Sequence, residues 1–303
     1  MTFPAFSDGI NLSLDELLAY KRSSALWLPP APSIWSNQAG AYQSRRLGRG
    51  MDFSEVRQYQ AGDDIRNIDW RVTARTGKPH TKLFSEEKER PVILYIDLSK
   101  SMFFGSTLML KSVQAAHMAA LIGWLSLAKK DRVGGVIDTG QTLIEIKPQN
   151  SQKALLALLN TLVNVHANEQ RQYDAITRFA DVISTLDRLA PKGSELVLIS
   201  DFTRLSSQDF KNATQLGKHN IIRLVQIYDS LEQGDTQFKG TERLTNGKQA
   251  AWVNFFAPNT RKAIKKAFNC QQDKLELLSH QQRTTLLTIC ADKALSSQLS
   301  GTR

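Results

Sequence analysis

The chain has 303 residues, 41% hydrophobic and 22% charged, the balance of an ordinary globular protein able to bury a substantial core. Its formal net charge of +10 raises the question of a nucleic-acid or anionic partner. The basic residues are scattered, however, clustering only at Arg45-Arg46, Lys129-Lys130 and Lys265-Lys266, and between Ser44 and Arg90 they are interleaved with Asp and Glu. A solvated surface with internal ion pairs is the better account, so no nucleic acid is expected as partner.

In chain order, Met1–Asp8 has neither a basic n-region nor an apolar h-region, so no secretory signal is expected. Leu12–Tyr20 predicts a short helix with Ser13 as N-cap and Glu16 at the capping-box position. Leu28-Pro-Pro-Ala-Pro-Ser33 breaks regular structure. Gly48–His80 then packs in charges, glycines and aromatics without a clean period. At its centre stands 62-GDDIRNIDW-70, carrying Asp63, Asp64, Arg66, Asp69 and Trp70, with Arg71 and Arg75 following. Dense Asp/Arg alternation suits bidentate pairs that staple this segment to the rest of the chain, leaving part of its surface to a partner. Paired carboxylates also serve acid–base chemistry, but no nucleophile–base constellation accompanies these, and His80 is the only histidine nearby.

The pattern changes at Pro91. Val92–Ile96 predicts a buried strand and Thr107–Lys130 a long helix, apolar on so many sides that it must be packed on most of them. The run Ser112–Ala128 contains Gln114 and His117 and falls short of the ~20 residues of a spanning helix, so no membrane crossing is expected. His117 reads as a hydrogen-bonded core residue. Val133–Ile137 and Thr142–Ile146 flank the turn signal Asp138-Thr-Gly-Gln141, as in a hairpin or two adjacent strands. Helices are predicted over Ser151–Val165, Tyr173–Leu189, Ser206–Lys218 and Asn259–Ser279, and strands over Glu195–Ile199, Ile221–Tyr228 and Thr284–Ile289. Cys270 and Cys290 lie outside any CxxC pattern and read as reduced thiols in a cytoplasmic protein. This alternation implies an α/β fold, a mostly parallel sheet with helices on both faces. Residues 1–90 would form a helix and a β-rich or irregular layer packed on it, and residues 91–303 the α/β domain.

Such sheets gather binding groups beyond the carboxyl ends of their strands. Asp97, Asp201 and Asp229 each lie at such an end, and Asp97 and Asp201 are expected to share a site. In 92-VILYIDLSKSMFFGS-106, Ser99 and Ser101 alternate after Asp97. Carboxylates and hydroxyls so spaced supply part of the six-oxygen shell of Mg²⁺. Alternatively, Ser99 or Ser101 caps the following helix while Asp97 accepts backbone N–H groups. Enzyme signatures are missing: there is no GxSxG, HExxH or GxxxxGK[ST], and Gly240–Lys248 has the wrong spacing for a phosphate loop.

The Asp97-Leu-Ser99-Lys-Ser101 pattern, with the later strand ending at Asp201, resembles the metal-ion-dependent adhesion site of von Willebrand factor A domains. The run 48-GRGMDFSEVRQYQAGDDIRNIDWRVTARTGKPHTKLFSEEKERPVILYIDLSKSM-102 resembles the signature of the bacterial family called domain of unknown function 58 (DUF58). That resemblance implies a von Willebrand A-like fold with an added N-terminal β-rich segment, and work beside a MoxR-type AAA+ ATPase. It also implies Mg²⁺ or another divalent cation held by Asp97, Ser99, Ser101 and Asp201, with a Thr from a third loop. Here that loop, 166-HANEQRQY-173, has no Ser or Thr; Gln172 or Tyr173 stands near the position, and Glu169 is a substitute oxygen donor. The function implied is a non-enzymatic cytoplasmic adaptor that brings an unknown client protein to the ATPase. The alternatives are a metal-dependent hydrolase using Asp97 and Asp201 with Asp63, Asp64 and Asp69, and, third, a basic nucleic-acid binder.

Overall fold

The computed structural model describes residues 7–24, 51–86, 89–168, 176–234, 240–245, 250–280 and 283–300. The chain divides into two compact units, one made of Met1–Gln38 and Arg90–Arg303, the other of Ala39–Glu89. Helix α1 (Leu14–Ser24) belongs to the first unit. In the second, the antiparallel pair β1 (Met51–Gln58) and β2 (His80–Glu86) brackets helix α2 (Trp70–Thr76).

The first unit continues with β3 (Pro91–Asp97), α3 (Lys111–Ala128), β4 (Arg132–Asp138), β5 (Leu143–Gln149), α4 (Gln152–Ala167) and α5 (Phe179–Leu189). Then come β6 (Glu195–Ser200), α6 (Ser207–Gly217), β7 (Ile221–Tyr228) and α7 (Ser230–Gln233). The remainder is the hairpin β8 (Thr241–Thr245) and β9 (Ala250–Asn254), helix α8 (Pro258–Ser279), β10 (Thr284–Cys290) and α9 (Leu295–Ser300). Six strands form one sheet in the order β10-β7-β6-β3-β4-β5. All pairs are parallel except β4 with the edge strand β5, which is antiparallel as a hairpin connection requires.

The fold class expected from the sequence is the one observed. The period of two in β3 sends Val92, Leu94 and Ile96 into a core with α1, α3, α4 and α9, and Ile93 and Tyr95 into a second core with α5, α6 and α8. Every residue of α3 from Lys111 to Ser126 is buried, which explains its lack of a polar face. The sheet lies on one side of it, α4 packs so closely that a Cβ at Gly123 would meet Leu155 Cδ1 at 2.7 Å, and α1 covers another side. Cys270 is exposed, Cys290 is buried, and both are free thiols.

Two departures are instructive. Leu14–Ser24, grouped on sequence with residues 1–90, sits in the sheet unit because the apolar face of α3 needs a cover. Its capping box forms as expected, with Ser13 N–H donating to Glu16 Oε1 at 2.6 Å. Helix α3 begins at Lys111, not near Thr107: Leu110 N–H is spent on Gly9 O and Lys111 N–H on Phe104 O, both at 2.8 Å, which holds the approach extended. No helix among the described residues is long and apolar enough to cross a membrane.

Glu16 and His117 tie α1 to α3. Glu16 Oε2 lies 3.1 Å from His117 Nε2, with both side chains buried, and Trp124 Nε1 donates to Leu17 O at 3.2 Å one turn-pair further along. Burial pushes the Glu16 carboxyl up, but hydrogen bonds from His117, Ser7 and the Ser13 N–H more than offset it, leaving the group below the usual glutamate value. A carboxylate with a depressed folded value stabilises above its unfolded value, near 4.3, and loses that contribution as pH falls through the folded one. Glu16→Gln should therefore flatten the acid side of a melting-temperature profile below about pH 4.3. Glu16→Ala, which removes the acceptor that His117 and the Ser13 N–H share, should cost on the order of 1–3 kcal/mol by urea denaturation at neutral pH.

Candidate functional site

Parallel pairing carries the carboxyl ends of β3, β4, β6 and β7 to one edge of the sheet. Asp97 stands opposite Asp138 in the β3–β4 register, and Ile96 opposite Ile199 in β3–β6, so Asp97 and Asp201 leave neighbouring strands. The structure brings these two together as expected, and both are buried. It adds Asp138, which sequence reading took only for a turn residue.

What compensates the carboxylates is protein. Arg204 Nη2 donates to Asp97 Oδ1 at 3.0 Å, Asp138 Oδ2 at 2.6 Å and Tyr95 OH at 3.1 Å, while its Nη1 donates to Thr177 Oγ1 at 3.0 Å. Lys111 Nζ donates to Asp201 Oδ2 at 2.9 Å and to Glu232 Oε1 at 2.6 Å, and its side chain has no exposed surface. Neutral donors complete the set. Asp97 accepts Ser99 N–H at 2.9 Å and Ser200 Oγ–H at 2.6 Å. Asp201 Oδ1 accepts Thr203 N–H at 3.0 Å and Thr203 Oγ1–H at 2.8 Å. Asp138 accepts Gly140 N–H at 2.8 Å, Thr177 Oγ1–H at 2.9 Å and Tyr95 O–H at 2.9 Å.

The electrostatics follow from these partners. Burial drives the Asp97 carboxyl above the usual range despite the adjacent guanidinium, with Asp201 and Asp138 adding repulsion. Burial acts on Asp201 in the same sense, but Lys111, the Thr203 N–H and Ser101 together more than offset it and hold that carboxyl low. Burial alone would lower the Lys111 ammonium; Asp201 and Glu232 outweigh it and raise the group. Phe202, between the two polar stretches, takes φ 57°, a left-handed conformation that costs a non-glycine residue about 1–2 kcal/mol. The Ser200 Oγ bond to Phe202 N–H at 2.9 Å and the Asp201–Thr203 bonds hold it there, and the turn aims Thr203 and Arg204 back at the site.

The serines behave differently from either expectation. Residues 100–102 form only a single 3-10 turn; Ser99 occupies its N-cap position without a side-chain cap bond, and neither Ser99 nor Ser101 caps α3. Asp97 does accept a backbone N–H, as the capping alternative held. Ser101 Oγ lies 3.4 Å from Thr203 Oγ1, whose proton goes to Asp201, and the Ser101 hydroxyl bonds the Asp201 carboxylate as well. Ser99 Oγ is buried with no hydrogen-bond partner among the described residues. Asp229 caps α7, accepting Leu231 N–H at 2.8 Å, and thereby places Glu232 beside Lys111. The third-loop positions Glu169, Gln172 and Tyr173 lie outside the described residues. Thr177, four residues beyond that loop, donates to Asp138 and accepts from Arg204.

These residues do not fit a divalent cation. Mg²⁺ asks for six hard oxygens in near-octahedral array. Each carboxylate oxygen of Asp97 and Asp201 already accepts from a protein donor, and the spare hydroxyl of Ser99 is one ligand, not a shell. Among the described residues no three of His, Cys, Asp and Glu are placed to hold a metal ion.

In the smaller unit the signature residues act locally. Asp69 caps α2, its Oδ1 accepting Arg71 N–H at 3.0 Å and Val72 N–H at 3.1 Å, with Lys82 Nζ 3.6 Å from Oδ2. Asp64 caps the preceding 3-10 turn through Arg66 N–H at 3.0 Å, and Asp63 pairs with Arg57 at 2.7 Å. Arg66, Trp70, Arg71 and Arg75 are exposed; within this unit Asp64 and Asp69 act as caps, while Asp63 keeps its arginine partner Arg57. An aspartate just before a helical turn meets unpaired N–H groups before it can reach a distant arginine.

A mostly parallel α/β sheet, covered on both faces and carrying an ion-paired cluster beyond its strand ends, defines the class. The chain belongs to the family described as "Protein of unknown function DUF58", matched over residues 55–274. It is 31% identical over 155 residues to uncharacterised proteins of Mycobacterium tuberculosis and Mycobacterium bovis, the match covering 51% of this chain and 48% of theirs. The chain thus spans about half the length of the curated relatives it matches. Similar solved structures include the conserved hypothetical protein BatB from Bacteroides thetaiotaomicron, at 12% identity and TM-score 0.42 over 70% of this chain and 94% of that one. Another is the SpRpn10 VWA domain, at 10% identity and TM-score 0.40 over 71% of this chain and 96% of that one.

Two outcomes follow. Arg204→Ala should destabilise by roughly 3–5 kcal/mol in a denaturant titration, because Asp97 and Asp138 would stay buried without a cation. Arg204→Lys should recover little of that loss, since a single ammonium does not reproduce the fork that spans Thr177 and both carboxylates. Asp69→Ala, in contrast, should lower the melting temperature only modestly, the signature of a lost cap on an exposed helix.

Proposed function

We propose that this chain is a non-enzymatic protein-binding adaptor, acting in the cytoplasm beside a MoxR-type AAA+ ATPase and presenting a client protein to it. The observation that carries this reading is the state of the strand-end carboxylates. Asp97 and Asp201 are buried and bonded on both oxygens, an arrangement suited to holding a surface rigid and poorly suited to accepting a proton from substrate. Around them lie Lys100 and Ser101, half-buried, and Thr203, exposed, as the rim a partner would meet. The resemblance of the signature segment to its family supplies the ATPase, and the sequence offers no nucleophile–base pair.

The test is to purify the chain with the MoxR-type ATPase of the same organism and measure their affinity. Binding is expected, and Lys100→Glu should weaken it about tenfold, some 1.4 kcal/mol, without changing the melting temperature. Equal affinity for wild type and variant would remove the strand-end face from the interaction. Turnover of phosphoester substrates with Mg²⁺ or Mn²⁺ would replace this reading with the hydrolase one.

A further inference from the structure

We infer that the strand-end site is charge-compensated from within, Lys111 and Arg204 serving as its resident cations, and that it therefore does its work without a divalent metal. The inference does not depend on the adaptor reading, because it concerns the free chain alone.

Each carboxylate in the cluster has a cationic partner on a different element. Lys111, from the first turn of α3, joins Asp201 at the end of β6 to Glu232 on α7. Arg204, from the loop after β6, joins Asp97 at the end of β3 to Asp138 at the end of β4. Carboxylates at the ends of adjacent parallel strands repel unless a cation or hydrogen-bond donors intervene. In this chain both kinds of help are covalently part of the fold. An ammonium bound at 2.9 Å and 2.6 Å on two carboxylates competes with any free ion at an effective concentration fixed by the packing of α3, so a divalent ion must displace it to reach them. The nearby Thr177 hydroxyl is likewise engaged, donating to Asp138 and accepting from Arg204.

Lys111 is then the residue that decides whether the site responds to metal. Removing its charge while keeping its bulk, as in Lys111→Met, leaves Asp201 and Glu232 facing each other with an unmet demand for a cation. The experiment is thermal melting of the wild type and of Lys111→Met in millimolar MgCl₂ or MnCl₂, in EDTA, and in NaCl of matched ionic strength. Wild type should melt at the same temperature in all of them. Lys111→Met should melt lower and regain part of the loss in Mn²⁺ or Mg²⁺ but not in NaCl, by preferential binding to the folded state. A saturable rise in the wild-type melting temperature with Mg²⁺ or Mn²⁺, reversed by EDTA and absent in Asp201→Asn, would overturn the inference. So would a Lys111→Met protein as stable as wild type. Should Lys111→Met fail to fold, the wild-type comparison with Asp201→Asn still decides the matter.

Discussion

Burying an ammonium with two carboxylates costs several kcal/mol per ion in lost hydration, and only close, well-directed pairing returns it. Lys111 shows what such a commitment imposes on its surroundings. Its side chain is wholly buried at the first turn of α3, so the residues before it stay extended until it is aligned with Asp201. The short helix α7 exists beside it with a capping box of its own, Asp229 N–H donating to Glu232 Oε2 at 3.1 Å, which turns the other glutamate oxygen toward the ammonium. The left-handed Phe202 belongs to the same arrangement, since it sits between Asp201, which needs Lys111, and Arg204, which needs Asp97 and Asp138.

Parallel topology makes this kind of compensation necessary. Strands that run the same way end on the same edge, so a polar residue placed at each strand end becomes one of a row. β3, β4, β6 and β7 end at or next to Asp97, Asp138, Asp201 and Asp229. One guanidinium can serve two of these because its fork is planar and rigid, reaching Asp97 and Asp138 from a single nitrogen and Thr177 from the other. The fourth, Asp229, accepts backbone N–H groups of Leu231 and Ser106 at 2.8 Å and 2.7 Å, yet burial and the neighbouring Asp292 still push its carboxyl above the usual range.

Short-range patterns in the sequence were enough for the six strands of the large sheet, for helices α1, α3, α4, α6 and α8, and for the adjacency of Asp97 and Asp201, but not for α7, α9 or the hairpin β8–β9. Buried parallel strands are continuous apolar runs, and a helix as apolar as α3 announces that something covers it. The partners of the carboxylates were not legible. Lys111 pairs with a residue 90 positions away and Arg204 with one 107 positions away, and nothing local distinguishes either from the other basic residues. One faint signal was present in Lys111, a lone cation on the brink of an otherwise apolar helix. Asp138 was hidden by its neighbours, since Asp-Thr-Gly reads as a turn and does in fact bond Gly140 as one. Thr177 lies 39 positions from the Asp138 it bonds, and no local pattern marks it. The signature aspartates misled for a different reason: Asp/Arg alternation suggests pairs, whereas Asp64 and Asp69 each precede a helical turn, and the nearest donors are its backbone N–H groups.

The family match and the folding unit do not share boundaries. The match covers residues 55–274, which leaves out α1, β10, α9 and the core residues Leu275 and Leu278 at the end of α8. Yet Leu17 has no exposed surface, Tyr20 stacks against His117 with ring centroids 5.4 Å apart, and Trp124 bonds the backbone of α1. Burying side chains of this kind contributes about 1.5–3 kcal/mol each, comparable in sum to the whole net stability of an ordinary domain. β10 in turn closes the sheet beside β7 through a register of seven paired residues. The matched span therefore delimits what is recognisable in sequence, while the packed core and sheet reach back to α1 and forward through β10. Among the segments outside the match, α1 and α9 pack in the core of α3, and α3 in its turn carries Lys111 into the site.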